Sequence, residues 1–276
     1  MIKDFSSCLM LSCNNEKHLK KIPSLEASCI MLNLEDGVSP EQKPMALSLC
    51  AKYLDEYKAL DKMFVVRVNA LDEGGLEEIR FLNGFKPDAI RVPKVKTKED
   101  VQVALNSIDE DIELHVSIET SDAWNNLSQL KTDKRVTTFY LGVLDLFADM
   151  SLPHSIIDID NPTMNYILSH FLITCLSAGV KPVSFVYQEY KNLEEFNRWL
   201  FLEKNMGYTS KGCISPAQTN LADSVFVNSK DEIKRAEKIV ELFEEQQKKG
   251  ITGFVDAEFG FIDEPIYKGA LALLAR

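Results

Sequence analysis

Short apolar runs alternate with longer segments of helical periodicity along most of this chain. The short runs are rich in β-branched residues, and the longer segments repeat apolar residues every three or four positions. This alternation is typical of a parallel sheet whose strands are joined by crossover helices. The pattern predicts eight strands: Cys8–Ser12, Ser28–Leu34, Met63–Asn69, Ala89–Val95, Leu114–Ile118, Thr137–Val143, Val183–Tyr187 and Gly212–Ile214.

Helices are predicted between these strands and after the last one. Ser229 and Glu232 have the spacing of a capping box at the start of the final long segment. The predicted helices are Pro44–Tyr57, Gly75–Leu82, Lys98–Ile108, Ser121–Leu130, Pro162–Ala178, Asn192–Asn205, Ser229–Gln247 and Ile266–Arg276.

Eight βα units predict a (β/α)8 TIM barrel, an α/β fold that typically needs ~250 residues. The alternative is an open doubly wound sheet. That fold usually carries a glycine-rich turn after its first strand, whereas Ser12–Asn15 contains no glycine. We therefore predict a barrel domain over residues 1–250. Residues 251–276 are too few for a core of their own and are expected to form a C-terminal arm that packs on the barrel or on a neighbouring subunit.

Composition narrows the possible partners. The 276 residues include 31 basic and 42 acidic side chains, for a formal net charge of −11. This excess argues against nucleic acid as a partner, because phosphate binding needs clustered Lys and Arg. No apolar run is long enough to span a membrane, and no signal peptide is recognised, so a cytoplasmic location is expected. The six scattered cysteines are expected to be buried, reduced thiols.

Polar residues follow several predicted strands. In a barrel, catalytic residues come from the carboxyl ends of the strands, so these positions are the candidate site. They are Glu35, Asp36, Arg67, Asn69, Lys94, Glu119 and Asp145.

Glu119 and Asp145 follow neighbouring strands, so their carboxylates are expected to converge. Mg²⁺ prefers oxygen ligands and commonly uses one or two carboxylates, with water and substrate completing the octahedron. Zinc is disfavoured because His115 is the single histidine within a predicted strand. The alternative for each acid is a solvated loop charge or an ion-pair partner.

Arg67 lies within an apolar strand, where a guanidinium needs an anion. Its planar fork is suited to a bidentate grip on a substrate carboxylate. A structural ion pair with Glu35 or Asp36 is the alternative.

Several short motifs occur together in a specific order. They are LEDGVSPEQK at 34–43, VRVN at 66–69, VPKV at 92–95, IET at 118–120, GVLDL at 142–146, KGCISPAQ at 211–218, FVNS at 226–229 and GFIDEP at 260–265. This series resembles the citrate lyase beta-subunit-like branch of the HpcH/HpaI aldolase/citrate lyase family. The chain differs from the family pattern at Ser6-Ser7, where Arg-Ser is usual, and at Ser215, where His is usual.

The resemblance implies a Mg²⁺-dependent TIM barrel, commonly a trimer, that makes or breaks carbon–carbon bonds in CoA or acyl-carrier thioesters. The acid half of the substrate would be a 2-oxo or 2-hydroxy acid derived from oxaloacetate, pyruvate or glyoxylate. Glu119 and Asp145 would ligate Mg²⁺, Arg67 would hold the acid's carboxylate, and Asp263 in the arm would act as acid or base in a neighbouring subunit's site. The candidate catalytic residues are then Glu35, Asp36, Arg67 and Asp263, and the candidate substrate-binding residues are Arg67, Asn69, Lys94 and Glu119.

Two alternatives remain beside the lyase. One is a malyl-CoA thioesterase or malate-synthase-like enzyme, with Asp263 as the enolising base. The other is a catalytically altered barrel that serves as an assembly or regulatory subunit. Because the net charge is negative, binding of an anionic CoA ester is expected to depend on local basic groups such as Arg67, Lys94 and Lys211.

Overall fold

A computed structural model describes residues 5–274, which form an eight-stranded parallel sheet, its helices, and a separate C-terminal unit. The sheet order is β7-β6-β5-β4-β3-β2-β1-β8. The strands are β1 Ser7–Ser12, β2 Cys29–Asn33, β3 Met63–Arg67, β4 Ala89–Val92, β5 Glu113–Ile118, β6 Val136–Leu141, β7 Lys181–Val183 and β8 Lys211–Cys213.

The sheet is nearly closed into a barrel. Strands β7 and β8 approach each other through a parallel bridge between Ser184 and Lys211, and the Gly212 N–H donates to the Ser184 carbonyl at 3.2 Å. This confirms the predicted (β/α)8 barrel. All eight predicted strands are present, but β7 covers 181–183 rather than 183–187, because it pairs with β6 only over Thr138–Tyr140.

Helices follow the strands, and the eight predicted helices are found, together with three at residues 16–19, 143–149 and 216–226 that were not predicted. The helices are α1 Glu16–Leu19, α2 Lys43–Tyr57, α3 Leu76–Leu82, α4 Lys98–Ser107, α5 Ser121–Asn125, α6 Val143–Asp149, α7 Pro162–Ala178, α8 Leu193–Met206, α9 Pro216–Phe226, α10 Lys230–Gln247 and α11 Glu264–Leu274. Helix α7 shows why the boundaries are predictable. Asn161 caps its first turn, Pro162 occupies the first helical position, and Gly179 ends it with φ of 70°.

The barrel has an apolar layer between strands and helices and a mixed layer inside the strands. The interior includes Cys8, Met31 and Tyr140 together with the buried polar residues His115 and Ser117. All six cysteines are buried and free, as predicted. The polar interior leads to the carboxyl ends of the strands, where the candidate site lies.

The C-terminal unit begins at Val227 rather than at residue 251. Helix α10 belongs to it, together with the antiparallel hairpin of β9 Gly253–Asp256 and β10 Gly260–Asp263, and helix α11. The predicted boundary is therefore too late, because α10 packs with this hairpin and with α11.

The packing inside this unit is apolar. Ile239 and Phe243 of α10 cluster with Ile262 and Ala270, and Phe243 stacks on Tyr267 with ring centroids 4.5 Å apart. Residues 251–276 were predicted to be too few for a core of their own. Together with α10 they do form a small one. The predicted helix Ile266–Arg276 begins earlier, at Glu264, and its last two residues lie outside the described range.

None of the helices within residues 5–274 combines the length and the apolar character needed to cross a bilayer.

Candidate functional site

A cavity of about 270 Å³ lies at the carboxyl end of the barrel strands. Its charged lining consists of Asp36, Arg67, Arg91, Glu119 and Asp145. The structure thus brings together four of the sequence-predicted residues, and it adds Arg91.

A second cavity of about 540 Å³ shares Glu119 and Asp145 with the first. Its other charged lining residues are two basic ones, Lys94 and Lys96, and four acidic ones, Asp72, Glu73, Asp100 and Asp149. The two carboxylates therefore lie on the boundary between a small compartment and a larger one.

Glu119 follows β5 and is 4% exposed. Its Oε1 accepts a hydrogen bond from the backbone N–H of Lys94 at 2.7 Å. Burial raises the pKa of Glu119, while the nearby guanidinium of Arg91 and, to a lesser extent, that of Arg67 act to lower it. A backbone donor therefore holds one carboxylate oxygen, and the charges of two guanidinium groups favour the ionised form of the carboxylate.

Gly142 makes room for this carboxylate. A Cβ at position 142 would lie 2.6 Å from the Glu119 Cβ and 2.8 Å from its Oε2. The GVLDL motif therefore begins with glycine because the backbone passes directly against Glu119.

Asp145 lies in the first turn of α6, which begins two residues after β6 ends. Its side chain is exposed, and within residues 5–274 no hydrogen bond or ion pair engages it. The sequence predicted that Asp145 follows the strand directly. In the structure Asp145 is already part of helix α6.

The Glu119 and Asp145 pair fits a Mg²⁺ ion chemically. Both are hard oxygen donors on one cavity wall, and Asp145 has no competing protein partner. Within residues 5–274 no group of three or more potential ligands occurs, so the remaining positions would be filled by water and substrate.

Arg67 forms the ion pair with Glu35 and Asp36 that the sequence analysis gave as the alternative to substrate binding. Its Nη1 lies 2.9 Å from Glu35 Oε2 and 3.9 Å from Asp36 Oδ2. Its Nε donates to Asn33 Oδ1 at 2.7 Å. Arg67 nevertheless lines the smaller cavity, so the ion pair and a ligand contact are compatible.

Glu35 stands behind Arg67 and lines neither cavity. Burial raises the pKa of Glu35 to about 7, against the opposing effect of the Arg67 charge. Its Oε2 has no hydrogen-bond partner, because the close approach of Arg67 is not aligned as a hydrogen bond. Glu35 therefore acts on the cavities through Arg67 and, at 3.9 Å, through the Nζ of Lys94.

Lys94 has a backbone role and a side-chain role. Its φ of 52° is left-handed, which directs its N–H to Glu119. Its Nζ lies 3.8 Å from Glu73 and 3.9 Å from Glu35, and the side chain is 44% exposed on the wall of the larger cavity.

Asn69, predicted to bind substrate, lines neither of the two cavities. Its backbone N–H and Nδ2 donate to Glu78 at 2.8 and 2.6 Å, and its Oδ1 accepts from Lys43. Because these groups satisfy the amide, Asn69 joins β3 to α3 and has no free group for a substrate.

Asp263 ends β10, in the C-terminal unit. Its Oδ1 accepts the Ile266 N–H at 3.2 Å, the position of an N-terminal cap on α11. Its predicted acid/base role stays a prediction.

Lys211, predicted to help bind a CoA ester, is fully buried. Its Nζ contacts Glu203 Oε1 at 2.5 Å and lies 4.0 Å from the centre of the Phe185 ring. The lysine is a structural cation between β8 and α8, so that expectation is wrong.

Arg91 was missed by the sequence analysis, although the signal was present. It lies between Ile90 and Val92 in an apolar strand, the same pattern that singled out Arg67. Because β3 and β4 are neighbours, Arg67 and Arg91 are register partners.

Comparison with known proteins agrees with this arrangement. The HpcH/HpaI aldolase/citrate lyase family profile matches residues 6–216. The chain is 30% identical over 247 residues to a (3S)-malyl-CoA thioesterase from Cereibacter sphaeroides, covering 89% of this chain and 85% of the relative. It is 28% identical over 261 residues to citrate lyase subunit beta from Haemophilus influenzae, covering 90% and 88%.

The fold matches as well. The crystal structure of CitE from Mycobacterium tuberculosis, in complex with magnesium, acetoacetate and coenzyme A, superimposes with a TM-score of 0.78 at 18% identity. That match covers 98% of this chain and 96% of the other. The chain belongs to the HpcH/HpaI aldolase/citrate lyase family.

Proposed function

We propose that this protein is a Mg²⁺-dependent carbon–carbon lyase acting on a CoA or acyl-carrier thioester of a 2-oxo-acid-derived hydroxy acid. The observation that carries the proposal is the convergence of Glu119 and Asp145, with two guanidinium groups, on one cavity. The similarity to citrate lyase subunit beta supports the same reaction class.

Each compartment suits one half of such a substrate. The smaller cavity, with Arg67 and Arg91, suits the compact, anionic acid half. The larger cavity has the volume for the thioester half, and Lys94 and Lys96 are the basic groups on its otherwise acidic wall that could contact an anionic carrier. The scissile bond would then lie near Glu119 and Asp145, which border both.

Glu119 and Asp145 would hold the metal, which when bound supplies Lewis-acid stabilisation of the charge that develops on the acid's oxygen. Arg67 would orient the acid through its carboxylate, with Glu35 and Asn33 fixing the guanidinium. Cleavage removes the proton from the hydroxyl group of the acid half, which becomes a carbonyl, and delivers a proton to the enolate of the thioester half; the reverse reaction moves a proton in the opposite direction. Asp263 is proposed for this proton transfer, contributed by a neighbouring subunit of a homotrimer.

The test measures Mg²⁺ binding and turnover together. Calorimetry is expected to detect Mg²⁺ binding to the wild type and its loss in Glu119→Gln and Asp145→Asn. The same variants should lose cleavage of malyl-CoA and citramalyl-CoA. Equal Mg²⁺ binding by wild type and both variants would contradict the site assignment.

A second candidate is a malyl-CoA thioesterase, which the 30% identity to such an enzyme favours. Product analysis separates the two reactions. Lyase action on malyl-CoA yields glyoxylate and acetyl-CoA, whereas thioesterase action yields malate and the free CoA thiol. A barrel that serves as an assembly or regulatory subunit would give neither set of products.

The proposed trimer has its own test. Sedimentation or light scattering should give a mass of three chains, and Asp263→Asn should abolish turnover without changing that mass. Mixing inactive Glu119→Gln with inactive Asp263→Asn should restore activity if the acid and the metal site come from different subunits. An absence of restoration in mixed trimers would refute a shared site.

A further inference from the structure

Arg91 lies on β4 and extends toward the carboxyl end of the barrel. Its register partner on β5 is His115, yet its Nε donates to the Oγ of Ser117, two residues nearer the mouth, at 2.8 Å. The side chain is 6% exposed and lines the smaller cavity beside Arg67. It is therefore a buried cation with one side open to the candidate site.

Arg91 differs from Arg67 in its partners. Its Nη1 approaches the Met31 sulfur at 3.3 Å, and its guanidinium lies 4.3 Å from the centre of the Tyr140 ring. Within residues 5–274 it forms no ion pair with a carboxylate, whereas Arg67 contacts Glu35 and Asp36. Neutral groups position Arg91 but leave its charge without a direct counterion.

Burying a charged guanidinium group without a direct counterion costs free energy. A buried charge normally requires an ion pair, a metal or a ligand of opposite charge. Two of the five N–H donors of Arg91 are used, by Ser117 and Met31, so three remain for a ligand. Both residues line the smaller cavity, and Glu119 is the carboxylate with the largest effect on the pKa of Arg91, although the two form no ion pair.

We propose that Arg91 binds the carboxylate of the 2-oxo acid half, beside Arg67, and so sets the preference of the smaller cavity for a charged acid. This inference rests on the proposed function. The planar guanidinium matches a carboxylate in a bidentate contact. The Tyr140 face and the Ser117 hydroxyl hold that plane in one orientation, so little conformational freedom is lost when the ligand binds.

A structural role for Arg91 makes a different prediction. If it served only to pack between Tyr140, Ser117 and Met31, its replacement would change the stability of the barrel but not the discrimination between a charged ligand and a neutral ligand of the same shape. Pyruvate and pyruvamide provide that pair of probes, since the amide keeps two oxygens but lacks the charge.

The experiment measures binding of radiolabelled pyruvate to the full chain by equilibrium dialysis at saturating Mg²⁺, with pyruvamide as competitor. Arg91→Met should raise the Kd of pyruvate about 10-fold or more and should lower the preference for pyruvate over pyruvamide by a similar factor, while Arg67 keeps the rest of that preference. Arg91→Lys, which keeps the charge but loses the fork, should give an intermediate ratio. Arg80→Met is the matched control, because it removes an exposed guanidinium of α3 that lines neither cavity.

An unchanged ratio in Arg91→Met would overturn the inference and leave the proposed function intact. Failure of the Mg²⁺-saturated wild type to bind pyruvate, glyoxylate and oxaloacetate would contradict the proposed function itself. If Arg91→Met does not fold, a crystal structure of the wild type with Mg²⁺ and pyruvate decides: a carboxylate on Arg91 supports the inference, and one on Arg67 alone refutes it.

Discussion

The barrel contains two buried ion pairs whose surroundings differ. Lys211 and Glu203 are both fully buried, and Glu203 Oε1 also accepts the Ser184 hydroxyl at 2.6 Å. Arg67 and Glu35 are nearly as buried, but Arg67 lines a cavity and has Asp36 as a further acidic neighbour. The first pair faces only protein, and the second faces a compartment that can take a ligand.

This difference separates structural charges from candidate functional charges better than burial does. Lys211 is the first residue of a motif that resembles the family signature, yet its ammonium group is enclosed by Glu203 and the Phe185 ring. Arg67 and Arg91 are also buried in strands, but both have donors at a cavity wall. Each pair also has one buried carboxylate oxygen without a hydrogen-bond partner, on Glu35 and on Glu203, so access from the cavity is what distinguishes the site.

The largest expected effect tests the closed pair. Lys211→Met leaves the Glu203 carboxylate buried without its cation, which should cost about 3–5 kcal/mol in the free energy of unfolding. Urea denaturation measures this loss. The control is Lys238→Met, which removes an exposed 2.7 Å pair with Glu241 and should change stability by less than about 1 kcal/mol. A loss at Lys211 no larger than that at Lys238 would mean that the closed pair does not stabilise the barrel.

The open pair should respond to pH instead. Burial raises the pKa of Glu35 to about 7, so the folded state holds this proton more tightly than the unfolded chain does. The resulting contribution to stability is present at low pH and is lost as the pH rises from about 4.5 to about 7, by up to about 3 kcal/mol. Unfolding free energies of wild type and Glu35→Gln, measured from pH 5 to 8, should therefore diverge, with the wild type losing stability relative to the variant as the pH rises. Parallel curves would show that the Arg67 charge cancels the effect of burial on the pKa of Glu35. A divergence of opposite sign would show that the Arg67 charge has the larger effect.

Much of this molecule could be predicted because periodicity and caps act locally. The eight strands follow from short apolar runs, and α7 follows from Asn161, Pro162 and Gly179. The (β/α)8 order follows from their alternation. These signals need no knowledge of which residues meet in space.

The features that the sequence did not predict depend on contacts between distant residues. Asn69 follows its strand as a site residue would, but Glu78 and Lys43 satisfy its amide. The unit from Val227 includes α10 because Phe243 meets Ile262 and Tyr267, which follow in the hairpin and the last helix. Strand position alone cannot distinguish a satisfied polar group from a free one.

A smaller effect should follow from filling the space beside Glu119. Gly142→Ala would place a methyl group 2.6 Å from the Glu119 Cβ, so the carboxylate must shift. We expect a loss of about 1–3 kcal/mol in stability and weaker Mg²⁺ binding by calorimetry. Gly84→Ala is the matched control, because nothing lies within 4 Å of its new methyl group. If Gly142→Ala binds Mg²⁺ as the wild type does, tight packing at this position does not set the metal site.

The smallest expected effect separates the two roles of Lys94 at the open site. Lys94→Gly keeps the backbone N–H that holds Glu119 and relieves the left-handed φ of 52°, which costs a residue with a side chain roughly 1 kcal/mol. Stability should therefore change by less than about 1 kcal/mol, while the KM for the thioester should rise because the ammonium group at the larger cavity is gone. Steady-state kinetics alongside a thermal melt measures both quantities. If KM is unchanged and only stability moves, Lys94 serves Glu119 through its backbone alone, and the larger cavity recognises its ligand by other groups.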